Sequence, residues 1–328
     1  NTYLIKVNHS YDMEGDLRKR GIKTKDFMPL IYSDTFETYG LLPYSTYRNT
    51  VLIKAMLLEM DVLFFVDTDV YPLLLKKKKR ESSLPDYISL EDTKELENYE
   101  LEEIDFFGEH FKYLKDEDVM VTTSDYSGYY IVPPMDFDYL DDYMKGLQKE
   151  GALDFVKKCK EEKCIVYANE ERKPFKTDKF LGGNMAIKLK AFRNLPPFFS
   201  STYVVADELV LTRGEDTLMG NFAKNSNLKA IDIDLLIFHN TYSDFPNPPD
   251  IQRSKAIRDR FYYASLGWIG RNPFMNYIDG KDYRELYKYQ RDHLIKSSVH
   301  MARYLKDRRF LIMPRAIENS MDDLKRIR

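Results

Sequence analysis

The sequence predicts an α/β protein: a mixed, mostly parallel sheet with flanking helices, followed by a helical C-terminal extension. Three observations predict it. Helical spacing over Arg48–Met60 leads straight into the all-apolar stretch Val62–Val66, which Asp61 and Asp67 bound. A helix followed by such a strand is the pattern of a sheet covered on both faces, as parallel sheets are. After the break Pro246-Asn-Pro-Pro249, residues 250–328 carry 18 Lys/Arg against 10 Asp/Glu, with apolar residues at helical intervals.

Composition excludes several classes. Of 328 residues, 43% are hydrophobic, enough for a large core, so wholesale disorder is out. The formal charge of −3 excludes a globally basic protein that coats nucleic acid. With 14 Gly and 14 Pro the chain is neither collagen-like nor linker-dominated. Two cysteines, Cys159 and Cys164, exclude a disulfide scaffold and favour reduced thiols over a small closed loop. The longest apolar run is strand-sized, and no signal peptide is visible. The chain begins at Asn1 rather than Met, so its start decides nothing about a leader. The simplest compartment is the cytoplasm.

The elements follow in order. Tyr3–Val7 reads as an opening strand that ends at Asn8-His9-Ser10. Val51, Leu52, Ala55 and Met56 give the first long helix its spacing. Val62–Val66 reads as a strand buried on both faces. Residues 81–118 hold 14 Asp/Glu against three Lys/Arg, which predicts a solvated insertion of a helix and a mobile loop, or alternatively a lid over a site. Met120–Ser124 and Tyr129–Val132 read as strands, Asp138–Lys160 and Thr217–Lys224 as helices, and Leu228–Phe238 as one strand. The organisation is thus a domain over 1–249 and a basic, aromatic helical extension over 250–328. The extension suits packing against the first domain. It also suits contact with an anionic acceptor or membrane surface, or a homodimer.

Four motifs carry chemistry. Asp67-Thr68-Asp69 ends the apolar strand, where ligands of open α/β sheets bind; two acids one residue apart can reach one hard cation. Taken alone, the triplet is also ordinary loop sequence. Gly182-Gly183-Asn184 lets backbone approach a ligand, or simply turns into a strand. Glu215-Asp216 opens a helix, where acids complement the helix dipole; a carboxylate there can instead accept a proton from an acceptor hydroxyl. His239 follows a strand end and suits a third metal ligand, although a lone histidine is more commonly a satisfied core or surface residue.

The order D-x-D, G-G-N, E-D, His resembles the GT-A-type glycosyltransferases, over about residues 1–245, with motif-level similarity to mannosylglycerate synthase among them. The resemblance implies a Rossmann-type sheet and transfer of a sugar from a nucleotide-diphosphate donor, a UDP- or GDP-sugar foremost, to an acceptor hydroxyl. It implies Mn²⁺ or Mg²⁺ held by Asp69, His239 and Asp67, with Asp67 alternatively facing the ribose. Gly182, Gly183 and Asn184 border the sugar. Asp216, with Glu215 beside it, meets the acceptor hydroxyl. Asn8, His9 and Arg48 lie at the nucleotide end. The acidic stretch 81–118 is longer than the family pattern. Two rival readings stand beside it. A nucleotidyltransferase would show a Gly-rich basic loop, which Val7–Asp12 lacks. A non-catalytic binding protein on the same scaffold would not need the intact motifs.

Overall fold

The computed structural model describes residues 13–23, 25, 27–31, 43–78, 87–89, 93–129, 135–147, 164–166, 171–200, 202–205, 208–211, 214–240, 245–247 and 255–327. The expected strand over Tyr3–Val7, with Asn8 and His9, lies outside them, as do Cys159 and most of the helix expected over 138–160.

Helices α1 (Met13–Lys19), α2 (Met28–Ile31) and α3 (Tyr44–Leu57) come first. Strands β1 (Val62–Val66), β2 (Val70–Lys77), β3 (Tyr87–Ser89) and β4 (Tyr99–Glu103) follow, then helix α4 (Phe106–Leu114). Next are β5 (Val119–Thr123), β6 (Tyr126–Tyr129), α5 (Leu140–Leu147), β7 (Cys164–Val166), β8 (Phe175–Lys176) and β9 (Asn184–Lys188). The ribbon β10 (Thr202–Val205) and β11 (Glu208–Leu211) precedes helix α6 (Glu215–Asn225), β12 (Lys229–Asp232) and β13 (Ile237–His239). Three helices close the chain: α7 (Lys255–Ile278), α8 (Tyr283–Tyr304) and α9 (Met313–Ile327).

The class is α/β with a helical C-terminal region, but the sheets are mixed rather than mostly parallel. One sheet has the order β1-β9-β5-β12-β8 and the other β3-β7-β6-β13-β2-β4. Only β5–β12 and β6–β13 pair in parallel among the described strands. The expectation failed at Val62–Val66 for a physical reason. An apolar run reports cover on both faces, not the direction of the neighbour. Leu63 and Phe65 enter the core with Phe180, Met185 and Ile187, while Phe64 packs edge-on against Phe107 and Phe111 of α4. Its partner β9 runs antiparallel, and β1 ends the sheet among the described strands.

Leu228–Phe238 is two strands rather than one. β12 pairs in the first sheet and β13 in the second, and Asp234 takes a left-handed conformation (φ 53°) at the corner. The described part of the acidic segment is built into the body. β4 pairs with β2 along the edge of the second sheet. α4 starts at Asp105, whose carboxylate accepts from Gly108 N at 2.9 Å, satisfying one of the orphan amides at a helix start.

The C-terminal helices form a core of their own around Phe261, Leu266, Ile269, Leu294, Met301 and Phe310. α5 joins it through Tyr143, Met144 and Leu147. α7 and α9 also meet α6, where Leu218 packs with Phe274 and Leu324. No helix among the described residues is long and apolar enough to cross a membrane.

Candidate active site

Two strand registers bring distant motifs together. In the β1–β9 pair, Val66 lies opposite Asn184, so the residue after β1, Asp67, faces the residue before β9, Gly183. In the β13–β2 pair, His239 lies opposite Val70, beside Asp69. The turn joining β1 to β2 is closed by Val70 N donating to Asp67 O at 3.2 Å, and Asn240 N donates to Asp69 O at 2.9 Å. The D-x-D triplet therefore occupies the crossing between the two sheets, with the glycine loop on one side and the late histidine on the other.

The glycine loop has no room for side chains. A Cβ on Gly183 would lie 2.5 Å from both Asp67 Oδ2 and Tyr126 Oη. Gly183 N donates to Tyr126 Oη at 2.9 Å, and Gly182 N donates to Asp216 Oδ2 at 2.8 Å. Asp216 Oδ1 also accepts from Thr217 N at 2.6 Å within the first turn of α6. That turn begins at Gly214, whose φ of 102° is left-handed and whose missing Cβ leaves space for the Arg271 stem.

Arg48 and Glu215 form a buried pair, Nε to Oε1 at 2.7 Å, and Arg48 Nη1 donates to Gly182 O at 3.2 Å. The guanidinium lies over the Phe65 ring at 4.8 Å. Burial raises the Glu215 pKa and Arg48 opposes it. Burial acts to lower that of Arg48, but Glu215, Asp216 and Asp67 together overcome it and the net shift is upward. Arg48 thus braces α3 against the glycine loop and α6. Glu215 gives its carboxylate to that brace, which leaves Asp216 as the partly accessible acid of the pair.

Asp69 is held by two cationic or polar partners. Its Oδ2 lies 2.7 Å from Arg260 Nη1 and 3.4 Å from His239 Nε2. The His239 contact, with Arg260 behind it, keeps the Asp69 carboxyl well below the usual carboxylate range. Asp67 reaches solvent from a recess. Desolvation raises its pKa against the pull of Arg48, and the charges on Asp69 and Asp216 add to the rise. The Tyr126 ring stacks on His239 at 5.2 Å. Burial, with Asp67 and Asp216 nearby, pushes its phenol well above its ordinary value.

The described geometry places Asn184 differently from the expectation that it borders a sugar. Its side chain is buried, with Nδ2 donating to Asp125 O at 3.1 Å and Leu235 O at 2.8 Å. Its Oδ1 lies 3.2 Å from His110 Nε2, and His110 Nδ1 lies 2.8 Å from Thr122 Oγ1. Since the Asn184 amide nitrogen serves two carbonyls, its oxygen must accept, which assigns the His110 proton to Nε2. Burial pushes the His110 pKa down to about 4.

Sequence reasoning missed Tyr126, Arg260 and Arg271. The guanidinium of Arg271 is buried beside Glu215 and Asp216. Its Nη1 donates to Thr217 Oγ1 at 3.2 Å, and its buried Nε has no hydrogen-bond partner among the described residues. The one signal was global. Residues 250–328 carry a net +8, leaving −11 for the remainder of a chain whose total is −3.

The donor types fit a hard divalent ion. Asp69 and His239 offer oxygen and nitrogen within 3.4 Å of each other. Such ions commonly take one or two protein carboxylates and complete their shell with phosphate and water. No group of three or more His, Cys, Asp or Glu side chains is arranged to hold a metal among the described residues. Arg260 holds the Asp69 oxygen that an ion would use. Four carboxylates (Asp67, Asp69, Glu215, Asp216) face three guanidinium groups (Arg48, Arg260, Arg271) here, so an added diphosphate calls for further positive charge.

No family model matches this chain, and comparison with curated proteins and with solved structures found no match either.

Proposed function

We propose that this chain transfers a glycosyl group from a nucleotide-diphosphate sugar to an acceptor hydroxyl. The observation that carries the reading is the convergence of Asp67, Asp69, Gly182, Gly183, Asp216 and His239 on one crossing between two sheets, fixed by the β1–β9 and β13–β2 registers. A non-specific surface would not gather these residue types from segments 170 positions apart.

In this reading the glycine loop lets the donor approach backbone, with Asp67 and Tyr126 beside it. The Arg48–Glu215 brace holds that loop in place. Asp69 and His239, with Asp67 adjacent, would hold Mn²⁺ or Mg²⁺, and the ion would supply Lewis-acid neutralisation of the departing diphosphate. Asp216 keeps acceptor capacity beyond its two backbone donors, since a carboxylate offers about four lone-pair sites. It binds and orients the acceptor hydroxyl. If the anomeric centre inverts, it takes the proton, a role typically supplying about 10²–10⁴-fold in rate.

The deciding experiment is a thermal-shift screen of UDP-, GDP- and ADP-sugars with and without Mn²⁺, followed by transfer assays on the donor that binds. Asp69→Ala is expected to abolish Mn²⁺-dependent transfer without unfolding the protein. Asp216→Asn is expected to keep donor binding and lower transfer by roughly 10²-fold or more. A fully active Asp69→Ala chain removes the ion from this site, and failure of every donor to bind removes the glycosyl-transfer reading itself.

A further inference from the structure

On the exterior of the C-terminal helices the exposed acids Asp282, Glu285 and Asp292 lie before residue 295 and Asp322 lies after 315, and the stretch between differs from both. Between 295 and 315, nine residues are exposed. Four are large and apolar or aromatic: Ile295 (47% exposed), Val299 (41%), Tyr304 (38%) and Leu311 (45%). The other five are Lys296, Arg303, Lys306, Arg308 and Arg315. No exposed acid lies among them. The single carboxylate of the stretch, Asp307, is turned to Arg309, whose guanidinium also meets Asp259. None of the five exposed cations is paired with a carboxylate among the described residues. An adjoining segment extends the face: Tyr139, 50% exposed, sets its ring 4.5 Å from that of His300, and Phe137 sets its ring 5.4 Å from that of Tyr304.

An aqueous surface normally mixes both signs of charge and scatters its apolar residues singly. Here unpaired cations alternate with aliphatic and aromatic side chains. That combination suits one environment: cations meet anionic headgroups while Ile, Val, Leu and Tyr side chains enter the boundary of the acyl region. A nucleic acid would leave the aliphatic side chains without a partner. No described helix can cross a bilayer, so the contact is lateral.

We propose that the outer face of the second half of α8, the following turn and the start of α9, residues 295–315 together with Tyr139, rests on the surface of an anionic lipid bilayer. The face is separate from the strand-end cluster but joined to it through one aromatic contact. Phe310, within the same turn, packs its ring 5.9 Å from that of Phe261, the neighbour in sequence of Arg260.

The test is flotation of the full chain with phosphatidylcholine vesicles, with and without phosphatidylglycerol, at low and high salt. The chain is expected to float with the anionic vesicles only and to be released by salt. Lys296→Ala and Arg303→Ala are each expected to weaken partitioning roughly fivefold. Ile295→Ser with Val299→Ser is expected to weaken it further at high salt, where the apolar contribution dominates. All these side chains are exposed, so melting temperatures should stay unchanged. Asp69→Ala should float like the unmodified chain, which separates this inference from the catalytic reading. No flotation, flotation indifferent to these variants, or binding to heparin or to a second copy of the chain in place of vesicles each overturns the proposal.

Discussion

The cations of this protein fall into two populations that behave oppositely. Arg48, Arg260 and Arg271 turn inward to the strand ends, where Glu215, Asp69 and Asp216 neutralise them. Lys296, Arg303, Lys306 and Arg308 turn outward, and none of them forms an ion pair among the described residues. Arg48 and Arg271 are buried, where a charge requires a partner, Arg260 is partly solvated, and the outward groups are exposed. Arginine occurs in both populations, so it is the surroundings that set its energetics. Inward substitutions should therefore register in stability or ion binding, and outward ones only in association with a charged surface.

The largest effect that can break this contrast is at Arg48. Arg48→Ala leaves the buried Glu215 carboxylate without its partner, at a cost of about 3–5 kcal/mol in urea unfolding. The double variant Arg48→Met with Glu215→Leu should recover most of that loss, because both charges leave together. If Arg48→Ala costs no more than Lys296→Ala, the inward population is not special.

His110 sharpens the same point with pH. Its folded pKa of about 4 lies below the ordinary 6.5, so the unfolded chain binds the proton more readily. Its linkage leaves stability intact above about pH 6.5 and removes it as pH falls toward 4, by on the order of 3 kcal/mol once both states are protonated. Unfolding of the wild type and of His110→Gln across that window should differ in slope, with the variant flatter. Parallel curves would show that the imidazole is not held neutral.

What the sequence made legible follows from which interactions are local. The helix expected over Arg48–Met60 and the strand Val62–Val66 appear within a few residues of their expected bounds because periodicity and apolar run are local signals. The strand's direction was not legible, since cover on both faces produces the same run in either orientation. The corner at Asp234 was hidden because Ile233, Leu235 and Leu236 continue the apolar pattern through it. In the site, Asp67, Asp69 and His239 were readable as strand-end residues. Arg260 and Arg271 were not, because they arrive from a helix whose placement depends on tertiary packing. Asn8 and His9 lie outside the described residues.

A smaller effect is expected at Gly183. Gly183→Ala places a methyl 2.5 Å from Asp67 Oδ2 and Tyr126 Oη, and both must move. The stability cost should be about 1–3 kcal/mol, with loss of the donor-induced thermal shift. A Gly183→Ala chain that binds donor normally would show that the loop does not border it.

The smallest change in stability, and the most informative one for the site, is at Arg260. The Arg260–Asp69 pair is partly solvated, so Arg260→Ala should cost no more than about 1 kcal/mol. Its consequence for ion binding has a definite sign. The guanidinium holds Asp69 Oδ2, the oxygen a divalent ion would take beside His239 Nε2, and it repels that ion. Removing it should tighten Mn²⁺ binding in a titration followed by electron paramagnetic resonance, with no turnover required. Lys296→Ala removes an equal charge from the outer face and should leave the titration unchanged, because salt screens a solvated charge beyond about 8 Å. Tighter binding in both variants would reduce the effect to net charge. Weaker or unchanged binding in Arg260→Ala would show that Asp69 is not an ion ligand and that Arg260 is a structural partner, as Arg48 is to Glu215.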